Sequence, residues 1–308
     1  MPKLTPIFET TYRETEAQPI QTYLKAAAAL STRSLRKYFF KGLVLLNGRK
    51  AHSQALVRPG DHLTVFPLGE ETSSLTPEPL PLQIIFENED LLIINKPAQM
   101  TVHPVKGITS GTLANGVAYY FASQGIRSKV RPVHRLDHGT SGLVIFAKSP
   151  QSQTRLTEAI TRHAIKRIYY AVAQGIPQPE SGLIDRPIGI RNGRRMVLPG
   201  GQPAQTHYHT LERFRDAALL ELELGTGRTH QIRIHLQSLG HPLLGDRLYG
   251  VKSPLINRPA LHAGKISFAG SGLALPEQRV PWPADFERLI AQLREFQIAS
   301  KELRNPIY

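Results

Sequence analysis

A single aspartate, Asp137, lies in the segment HRLDHGTSG, residues 134–142, where glycines surround Thr140 and Ser141. The glycines predict a turn that a ligand can approach, and the two hydroxyls could orient the carboxylate. A carboxylate on such a turn suits covalent catalysis, in which it bonds temporarily to the substrate. The same residues also suit a structural Asx turn, and Arg135 could be a simple ion-pair partner of Asp137. The local sequence leaves these alternatives open.

A second segment with candidate functional residues is GTGRTHQIRIHLQSLGHPLLGDRLYG, residues 225–250. Its pattern predicts a helix over about residues 230–238 that Thr229 caps and Gly240 ends. Arg233 then lies near the first turn, where the positive end of the helix dipole disfavours a cation. An arginine at this position predicts that a carboxylate or phosphate lies close to it.

The histidines of this segment lack the spacing of a metal site. His230 and His235 are five residues apart, whereas the H-E-x-x-H pattern places two imidazoles on one metal ion. No thiolate is available, because the chain has no cysteine, and no acidic third ligand is adjacent. The sequence therefore predicts structural histidines and no metal site.

A third segment, KRIYYAVAQG at residues 166–175, predicts a strand with Tyr169 and Tyr170 on opposite faces. Tyrosines in strands usually pack in the core. One of these two must face away from whatever the other contacts.

The elements that position these segments form an irregular series from residue 83 onward. Strands are predicted within QIIFENEDLLIINKP, GLVIFAK and RIYYAVAQG. Helices are predicted over TLANGVAYYFAS and over QTRLTEAITRH, the latter capped near Ser149 or Ser152. Strands and helices do not alternate strictly, so we expect an α+β domain around a mixed, largely antiparallel central sheet. This domain is predicted to span residues 83–308.

The preceding part of the chain predicts a small basic unit at residues 19–66, after an N-terminal extension at residues 1–18. Its pattern indicates two helices, PIQTYLKAAAAL and TRSLRKYFFK, the second with Ser31 as its expected N-cap. Short strands follow around Asn47-Gly48 and Arg58-Pro59-Gly60-Asp61 turns. Residues 67–82 contain four prolines, three glutamates and no lysine or arginine. We interpret them as an extended acidic linker.

The charge of the whole chain indicates a polyanionic partner. Its 38 Lys and Arg against 24 Asp and Glu give a net charge of +14, which attracts nucleic acid. An apolar run of about 18 residues, a lipidation motif and a basic amphipathic helix are all missing, so no membrane partner is expected. The lack of cysteine and of an N-terminal secretory signal indicates the cytoplasm. We expect a monomer.

The small unit resembles the S4 RNA-binding domain, through RSLRKYFFKGLVLLNGRK and VRPGDHLTV. This resemblance implies an αα-β fold that binds RNA phosphates. The expected RNA-binding residues are Arg33, Arg36, Lys37, Lys41, Arg49 and Lys50.

The larger domain resembles the RluA class of pseudouridine synthases. HRLDHGTSGL, KRIYYAVAQG and GRTHQIRIHLQSLGHPLLGD match three of its motifs, and IINKPAQMTVHP and LHAGKISF match its first and last blocks. Two departures are Gln99, where the family usually has glycine, and Phe268-Ala269-Gly270, which replaces F-x-H-P. Neither departure affects an expected catalytic residue.

The resemblance assigns a role to each candidate residue. It implies that Asp137 is the nucleophile, that Tyr169 stacks on the uracil with removal of its C5 proton as a second role, and that Arg233 is the ion-pair partner of Asp137. It also implies an activity that isomerises uridines in structured RNA, most often large-subunit (23S) ribosomal RNA and alternatively tRNA. The expected substrate-binding residues are Arg135, Leu261, His230 and Arg228, and no organic cofactor is implied.

Two other classes of function remain open. A retaining glycosidase-like hydrolase would use Asp137 with a second carboxylate about 5 Å away, for which Asp185 or Asp246 could be nominated. A non-catalytic RNA-binding protein would bind RNA without isomerisation. The presence of Asp137, Tyr169 and Arg233 together argues against the latter.

Overall fold

The computed structural model describes residues 5–28, 30, 32–67, 75–250 and 252–302, without the side chains of Arg33 and residues 299–302. The described residues of the N-terminal unit form two helices and six short strands. These elements are β1 (Phe8–Thr11), β2 (Gln18–Pro19), α1 (Ile20–Ala27), α2 (Thr32–Phe40), β3 (Val44–Leu46), β4 (Arg49–Lys50), β5 (Leu56–Val57) and β6 (His62–Val65).

The N-terminal unit extends further toward the N-terminus than the sequence predicts. Strand β1 pairs with β6 in an antiparallel sheet of order β1-β6-β3-β4, and β2 pairs with β5. Tyr12 is fully buried in the core of the unit beside Ile20 and Leu24. Residues assigned to an N-terminal extension therefore belong to this packed unit, because they complete its sheet and its core.

The turns of the N-terminal unit agree with the sequence pattern. Asn47 and Gly48 have φ angles of 50° and 77°, which type I′ hairpin turns require, and they join β3 to β4. Gly42, with φ of 62°, follows the end of α2. Ser31, the expected cap of α2, lies outside the described residues.

The described half of the predicted linker is packed rather than free. Leu80 and Leu82 lie against the third helix, where an added Cβ at Gly116 would approach them to 3.2 and 3.0 Å. Asn115 donates its side-chain N–H to the carbonyl of Thr76. The acidic Pro-rich segment therefore docks on the larger domain from residue 76 onward, and residues 68–74 lie outside the described part.

The larger domain contains twelve strands and four helices within the described residues. They are β7 (Ile84–Glu87), β8 (Leu91–Lys96), α3 (Leu113–Ser123), β9 (Arg131–Pro132), β10 (Ser141–Ala147), α4 (Pro150–Thr161), β11 (Lys166–Gln174), β12 (Ser181–Asp185), β13 (Ile188–Arg191), β14 (Arg194–Val197), β15 (Gln205–Arg213), β16 (Ala217–Leu224), α5 (Gln231–Ser238), β17 (Leu261–Ser267), β18 (Gln278–Arg279) and α6 (Ala284–Glu302).

A ten-stranded sheet organises this domain in the order β12-β15-β16-β11-β17-β10-β8-β7, with β18 beside β17 and β9 beside β10. The neighbouring strands are antiparallel except β10 and β17, which run parallel. The mixed, largely antiparallel sheet predicted from the sequence is therefore confirmed. Its single parallel contact brings the start of β10 beside the start of β17.

Helices cover both faces of the sheet and bury its apolar side chains. Helix α3 packs on one face through Leu113, Val117 and Phe121, whereas α4 covers the other face through Leu156 and Ala159. The expected cap of α4 is Ser149, whose hydroxyl accepts from the backbone N–H of Ser152. None of the described helices combines the length and apolar character that a membrane crossing requires.

The two units touch through α2 and α4. Tyr38 of α2 is almost fully buried, and the side chains that influence it include those of Gln151 of α4 and Arg131 of β9. Burial raises the pKa of Tyr38, and the nearby Arg131 opposes that rise. The N-terminal unit is therefore anchored beside β9, which leads directly into the segment that contains Asp137.

Candidate active site

Asp137 lies in the turn between β9 and β10, as the sequence predicts. The backbone N–H of Thr140 donates to the carbonyl of Asp137 over 3.0 Å, which closes the turn. Gly142 follows with φ of 116°, and a Cβ at this position would lie 2.2 Å from the carbonyl oxygen of Ala263. Only glycine permits β17 to approach so closely, and this approach fixes the Asp137 turn against the start of β17.

The expected roles of the two hydroxyls are wrong. Ser141 hydrogen-bonds to Nδ1 of His262 over 2.9 Å, and the buried hydroxyl of Thr140 has no hydrogen-bond partner among the described residues. Neither hydroxyl orients the carboxylate of Asp137. The residues around Asp137 also form a turn rather than a strand, and the described ion pairs of Asp137 are with His230 and Arg233 rather than with Arg135.

Arg258, which no sequence motif singled out, holds the Asp137 turn in place through hydrogen bonds to backbone carbonyls. Its guanidinium donates to the carbonyl of Gly139 over 3.2 Å and to that of Leu261 over 3.1 Å. Asp285 of α6 holds the same guanidinium through two hydrogen bonds of 2.6 and 2.8 Å. This buried arginine therefore ties the turn and the start of β17 to α6.

Arg233 lies in the first turn of α5 and contacts two carboxylates. Its Nε and Nη2 donate to Asp246 over 2.7 and 2.8 Å, whereas Nη1 reaches Oδ2 of Asp137 at 3.5 Å. The expected pairing of Arg233 with Asp137 is therefore present, but the closer bidentate partner is Asp246. Asp246 has no exposed surface, so it is a structural counter-ion that leaves one edge of the guanidinium for Asp137.

Arg233 and Asp246 form a buried ion pair in which each side chain stabilises the charged form of the other. Burial alone would raise the pKa of Asp246, but hydrogen bonds from Arg233 and from the backbone N–H groups of Leu248 and Tyr249 hold it below its usual value. Burial alone would likewise lower the pKa of Arg233, but the contact with Asp246 raises it. Both side chains therefore stay charged at neutral pH.

The start of α5 differs from the prediction. His230, rather than Thr229, is the N-cap residue, and it adopts the left-handed conformation with φ of 59° and no capping side-chain hydrogen bond. This conformation directs its ring into the site, where Nδ1 lies 2.9 Å from the hydroxyl of Tyr249 and Nε2 lies 4.0 Å from Asp137. Burial lowers the pKa of His230, with Asp137 opposing the shift.

His235, in contrast, has the structural role that its sequence position predicts. It is fully buried and contacts the hydroxyl of Thr206 and the carbonyl of Arg186 at 2.8 and 2.9 Å. It joins α5 to β15 and to the segment before β13.

The two tyrosines of β11 face opposite sides, as predicted. Tyr169 is buried in the core under the site, and Tyr170 packs against Trp282. Between the partners of Ile168 and Tyr170, β17 contains one residue more than β11, which is a β-bulge of the kind found beside active sites. Burial raises the pKa of Tyr169, and the charge of Asp137 adds to this rise.

These elements enclose a cleft of about 410 Å³, which is within the usual range for a small-molecule or nucleotide site. The seven catalytic and substrate-binding residues predicted from the sequence all line it, and no predicted member falls elsewhere. They are Arg135, Asp137, Tyr169, Arg228, His230, Arg233 and Leu261.

The backbone conformation shows why glycine is usual at one of the two positions where this chain departs from the family motif. Gln99, which stands where glycine is usual, has φ of 62°, a conformation that glycine adopts without steric cost. Lys96, just before it, has no exposed surface and donates to the carbonyls of Pro97 and Met100 over 2.8 Å each. Burial, with help from Arg258, lowers the pKa of Lys96 to about 7.

The basic residues predicted to bind RNA do not line the cleft. Those whose side chains are described are exposed on the N-terminal unit: Arg36, Lys37, Lys41, Arg49 and Lys50. The side chain of Arg33 lies outside the described part. Among the described residues, no three His, Asp or Glu side chains come close enough together to hold a metal ion.

Comparison with known proteins agrees with this geometry. The model of the family described as RNA pseudouridylate synthase matches residues 90–238. A Bacillus subtilis protein named uncharacterized RNA pseudouridine synthase YhcT is 40% identical over 285 residues, covering 89% of this chain and 93% of its own. The Escherichia coli K12 ribosomal large subunit pseudouridine synthase D is 36% identical over 280 residues, covering 84% of this chain and 85% of its own.

A solved structure shows the same fold. Human RNA pseudouridylate synthase domain containing 4 superposes with a TM-score of 0.57 at 23% identity, covering 68% of this chain and 92% of its own. At that identity the likeness concerns the fold alone, whereas the sequence relatives span both units. The similarity to these sequence relatives shows that the chain belongs to the RluA family of RNA pseudouridine synthases, which are isomerases of uridine in RNA.

Proposed function

We propose that this protein isomerises uridines in large-subunit ribosomal RNA, with Asp137 as the nucleophile. The observation that carries the proposal is the position of Asp137, whose carboxylate lies in the cleft at 3.5 Å from Arg233. A relative at 36% identity is named for the large ribosomal subunit, and the net charge of +14 suits a large RNA.

The reaction requires a group that can hold a fragment of the nucleotide covalently. The N1–C1′ bond of uridine breaks, the uracil turns, and C5 rejoins C1′ after which the C5 proton is lost. The carboxylate of Asp137 can bond to the substrate and leave again, because it is partly exposed to the cleft and lies beside the guanidinium of Arg233. The target uridine must first leave its stack, which costs a few kcal/mol that the rest of the interface offsets.

Arg233 positions the nucleophile in this proposal. Asp246 takes two of its N–H groups at 2.7 and 2.8 Å, so the guanidinium cannot rotate and presents Nη1 to Asp137. An arginine held in this way fixes one oxygen of the nucleophile and leaves the other free for attack. His230 is a neutral neighbour, because burial lowers its pKa.

Tyr169 and Leu261 form the apolar walls against which the uracil packs. Both are almost fully buried and both border the cleft. A raised pKa keeps the phenol of Tyr169 protonated at neutral pH. Its stacking contact is therefore its first role, and removal of the C5 proton requires the phenol to pass its own proton on.

The N-terminal unit is proposed to anchor the RNA as an S4-like domain. Two helices followed by short strands and exposed basic side chains at Arg36, Lys37 and Arg49 support this role. Such phosphate contacts position an RNA without reading its bases.

A glycosidase-like activity is not supported by the carboxylates near the cleft. A general acid needs a raised pKa, whereas Arg233 lowers the pKa of Asp246. Asp185 accepts from Gln205 on β15 and does not border the cleft.

The test is release of tritium from transcripts that carry C5-tritiated uridine. We expect the protein to release tritium from a large-subunit ribosomal RNA transcript and to form no free uracil. Release from tRNA transcripts alone would refute the ribosomal substrate. Free uracil would indicate a hydrolase, and tight RNA binding without release would indicate a non-catalytic protein.

A further inference from the structure

Arg167 is a buried cation in the cleft that the roles assigned above do not use. It precedes Tyr169 by two residues on β11, so both side chains leave the same face of the strand about 6.6 Å apart. Only 7% of Arg167 is exposed, and it borders the cleft together with Tyr169. It therefore lies one strand repeat away from the proposed stacking surface for the uracil.

The guanidinium of Arg167 has no counter-ion within the described part of the chain. None of the described ion pairs includes it, and its buried Nε has no hydrogen-bond partner. A neighbouring imidazole, that of His134, is no anion, and burial together with the charge of Arg167 lowers its pKa to about 3. Burying an unpaired cation costs free energy unless a bound anion neutralises its charge.

The other basic residues around the cleft differ from Arg167 in their surroundings. Arg233 is paired with Asp246 and Asp137, Arg228 donates Nε to the carbonyl of Pro203, and Arg135 is exposed. Arg167 is therefore the cation whose charge is directed at the interior of the cleft without a protein partner among the described residues.

Gly227, in the loop that faces Arg167, leaves space beside the guanidinium. A Cβ at this position would lie 3.4 Å from Nη1 of Arg167, so a larger side chain would occupy part of the space that a ligand needs. A glycine at this position keeps room for a small group against the guanidinium.

We propose that Arg167 binds a phosphate oxygen of the nucleotide whose uracil packs on Tyr169. Guanidinium N–H groups pair with phosphate oxygens in a bidentate geometry, and the phosphate supplies the missing counter-ion. This inference rests on the proposed function, since it requires a nucleotide in the cleft. Because Arg167 is buried, it recognises a flipped nucleotide and not the RNA backbone that passes over the rim.

The experiment compares uridine with uridine 3′,5′-bisphosphate as ligands of the full-length protein, by nuclear magnetic resonance titration. We expect the wild type to bind the bisphosphate at least tenfold more tightly than uridine. Arg167→Gln should bind uridine as the wild type does and keep less than a threefold preference. Uridine 5′-monophosphate and 3′-monophosphate, titrated in parallel, show which of the two phosphates Arg167 binds.

Arg155→Gln is the matched control, because Arg155 is a partly exposed arginine that is paired with Asp90 and does not line the cleft. It should keep the full preference for the bisphosphate. The proposal is overturned if the wild type shows no preference, or if Arg167→Gln keeps the wild-type preference. If Arg167→Gln does not fold, Arg167→Lys decides: a smaller preference supports the subsite, and an unchanged one overturns it.

The wild-type tritium assay separates this inference from the proposed function. A protein that prefers the bisphosphate through Arg167 but releases no tritium would refute the isomerase proposal and keep the phosphate subsite. A protein that releases tritium but shows no such preference would keep the isomerase and refute the subsite.

Discussion

The cleft and the N-terminal unit both depend on basic residues, but they use charge in opposite ways. In the cleft, Arg233 is nearly buried and each edge of its guanidinium meets a carboxylate, Asp246 or Asp137. On the N-terminal unit, Arg36 and Lys37 are exposed, and residues 19–66 contain eight basic residues against one acidic residue.

The difference shows how one basic chain can separate chemistry from anchoring. Buried charges in a low-dielectric site are costly unless they are paired with a protein group or a ligand, and pairing fixes their geometry. Exposed charges act through long-range attraction that salt screens. We therefore expect changes in the cleft to affect turnover and changes on the N-terminal unit to affect affinity and its salt dependence.

The largest effect is expected for Asp137→Asn. The amide keeps the shape of the side chain but cannot bond to the substrate as an anionic nucleophile, so tritium release should fall below detection. RNA affinity, measured by filter binding on the same preparation, should stay within a few fold. A folded variant that releases tritium at more than about a tenth of the wild-type rate would exclude Asp137 as the nucleophile.

A large effect on both activity and stability is expected for Asp246→Asn. Arg233 would lose its bidentate partner inside the protein, which should cost about 3 to 5 kcal/mol of unfolding free energy and lower turnover at least tenfold. The matched control is Glu212→Gln, because Glu212 binds the exposed Arg294 with the same bidentate geometry at 2.9 and 2.7 Å. Its loss should cost less than about 1 kcal/mol.

Urea denaturation and tritium release measure both variants. Equal losses in the two variants would show that burial does not distinguish the cleft pair from a surface pair.

A smaller and more selective effect is expected for Tyr169→Phe. The ring and its stacking contact remain, but the hydroxyl is lost, so a step after cleavage of the glycosidic bond should slow while RNA binding persists. Tyr170→Phe is the control on the opposite face of β11, beside Trp282, and should change turnover little. Single-turnover tritium release compares them, and the reverse ranking would mean that the wrong tyrosine has been assigned.

Replacing Arg36, Lys37 and Arg49 by glutamine should weaken RNA binding without changing turnover at saturating RNA. Each lost phosphate contact subtracts about 0.7 to 0.9 from the log–log slope of affinity against salt, so the slope should fall by about 2 to 3. The control replaces exposed arginines that are paired with carboxylates on the larger domain, Arg155, Arg213 and Arg294. An equal slope change in the control would show that the N-terminal unit is not a special anchor.

The last prediction concerns the pH dependence of stability rather than turnover or RNA affinity. Burial lowers the pKa of Lys96 to about 7 from 10.5, so between these values the unfolded state binds the additional proton. Stability should therefore rise with pH by up to about 1.4 kcal/mol per unit in this window. Lys96→Met should lack this rise, and Lys37→Met, at an exposed position, should keep it. Urea denaturation at several pH values measures this rise. The same pH dependence of the unfolding free energy in all three proteins would contradict the lowered pKa of Lys96.

The sequence predicted most of the elements around the cleft because local signals were strong. Capping at Ser149, the Asn47-Gly48 turn and the alternation around Tyr169 depend on neighbouring residues only, and the structure has all three. The N-terminal boundary was missed because β1 is short and gains its stability from pairing with β6, which is distant along the chain. The start of α5 was missed because His230 adopts a left-handed backbone conformation. Its ring contacts the hydroxyl of Tyr249, 19 residues away, and local sequence patterns do not reveal such a contact.

The motifs that contain Asp137, Tyr169 and Arg233 identify the isomerase family from the sequence alone, because they keep their order and spacing along the chain. The three-dimensional fold was needed to show which carboxylate binds Arg233 more closely. Asp137 is 96 positions away from Arg233 and Asp246 is 13 positions away, and sequence patterns do not rank contacts over such separations. The ranking depends on the parallel pairing of β10 with β17 and on the fold of the loop after α5, which place one carboxylate in the interior and leave the other at the cleft.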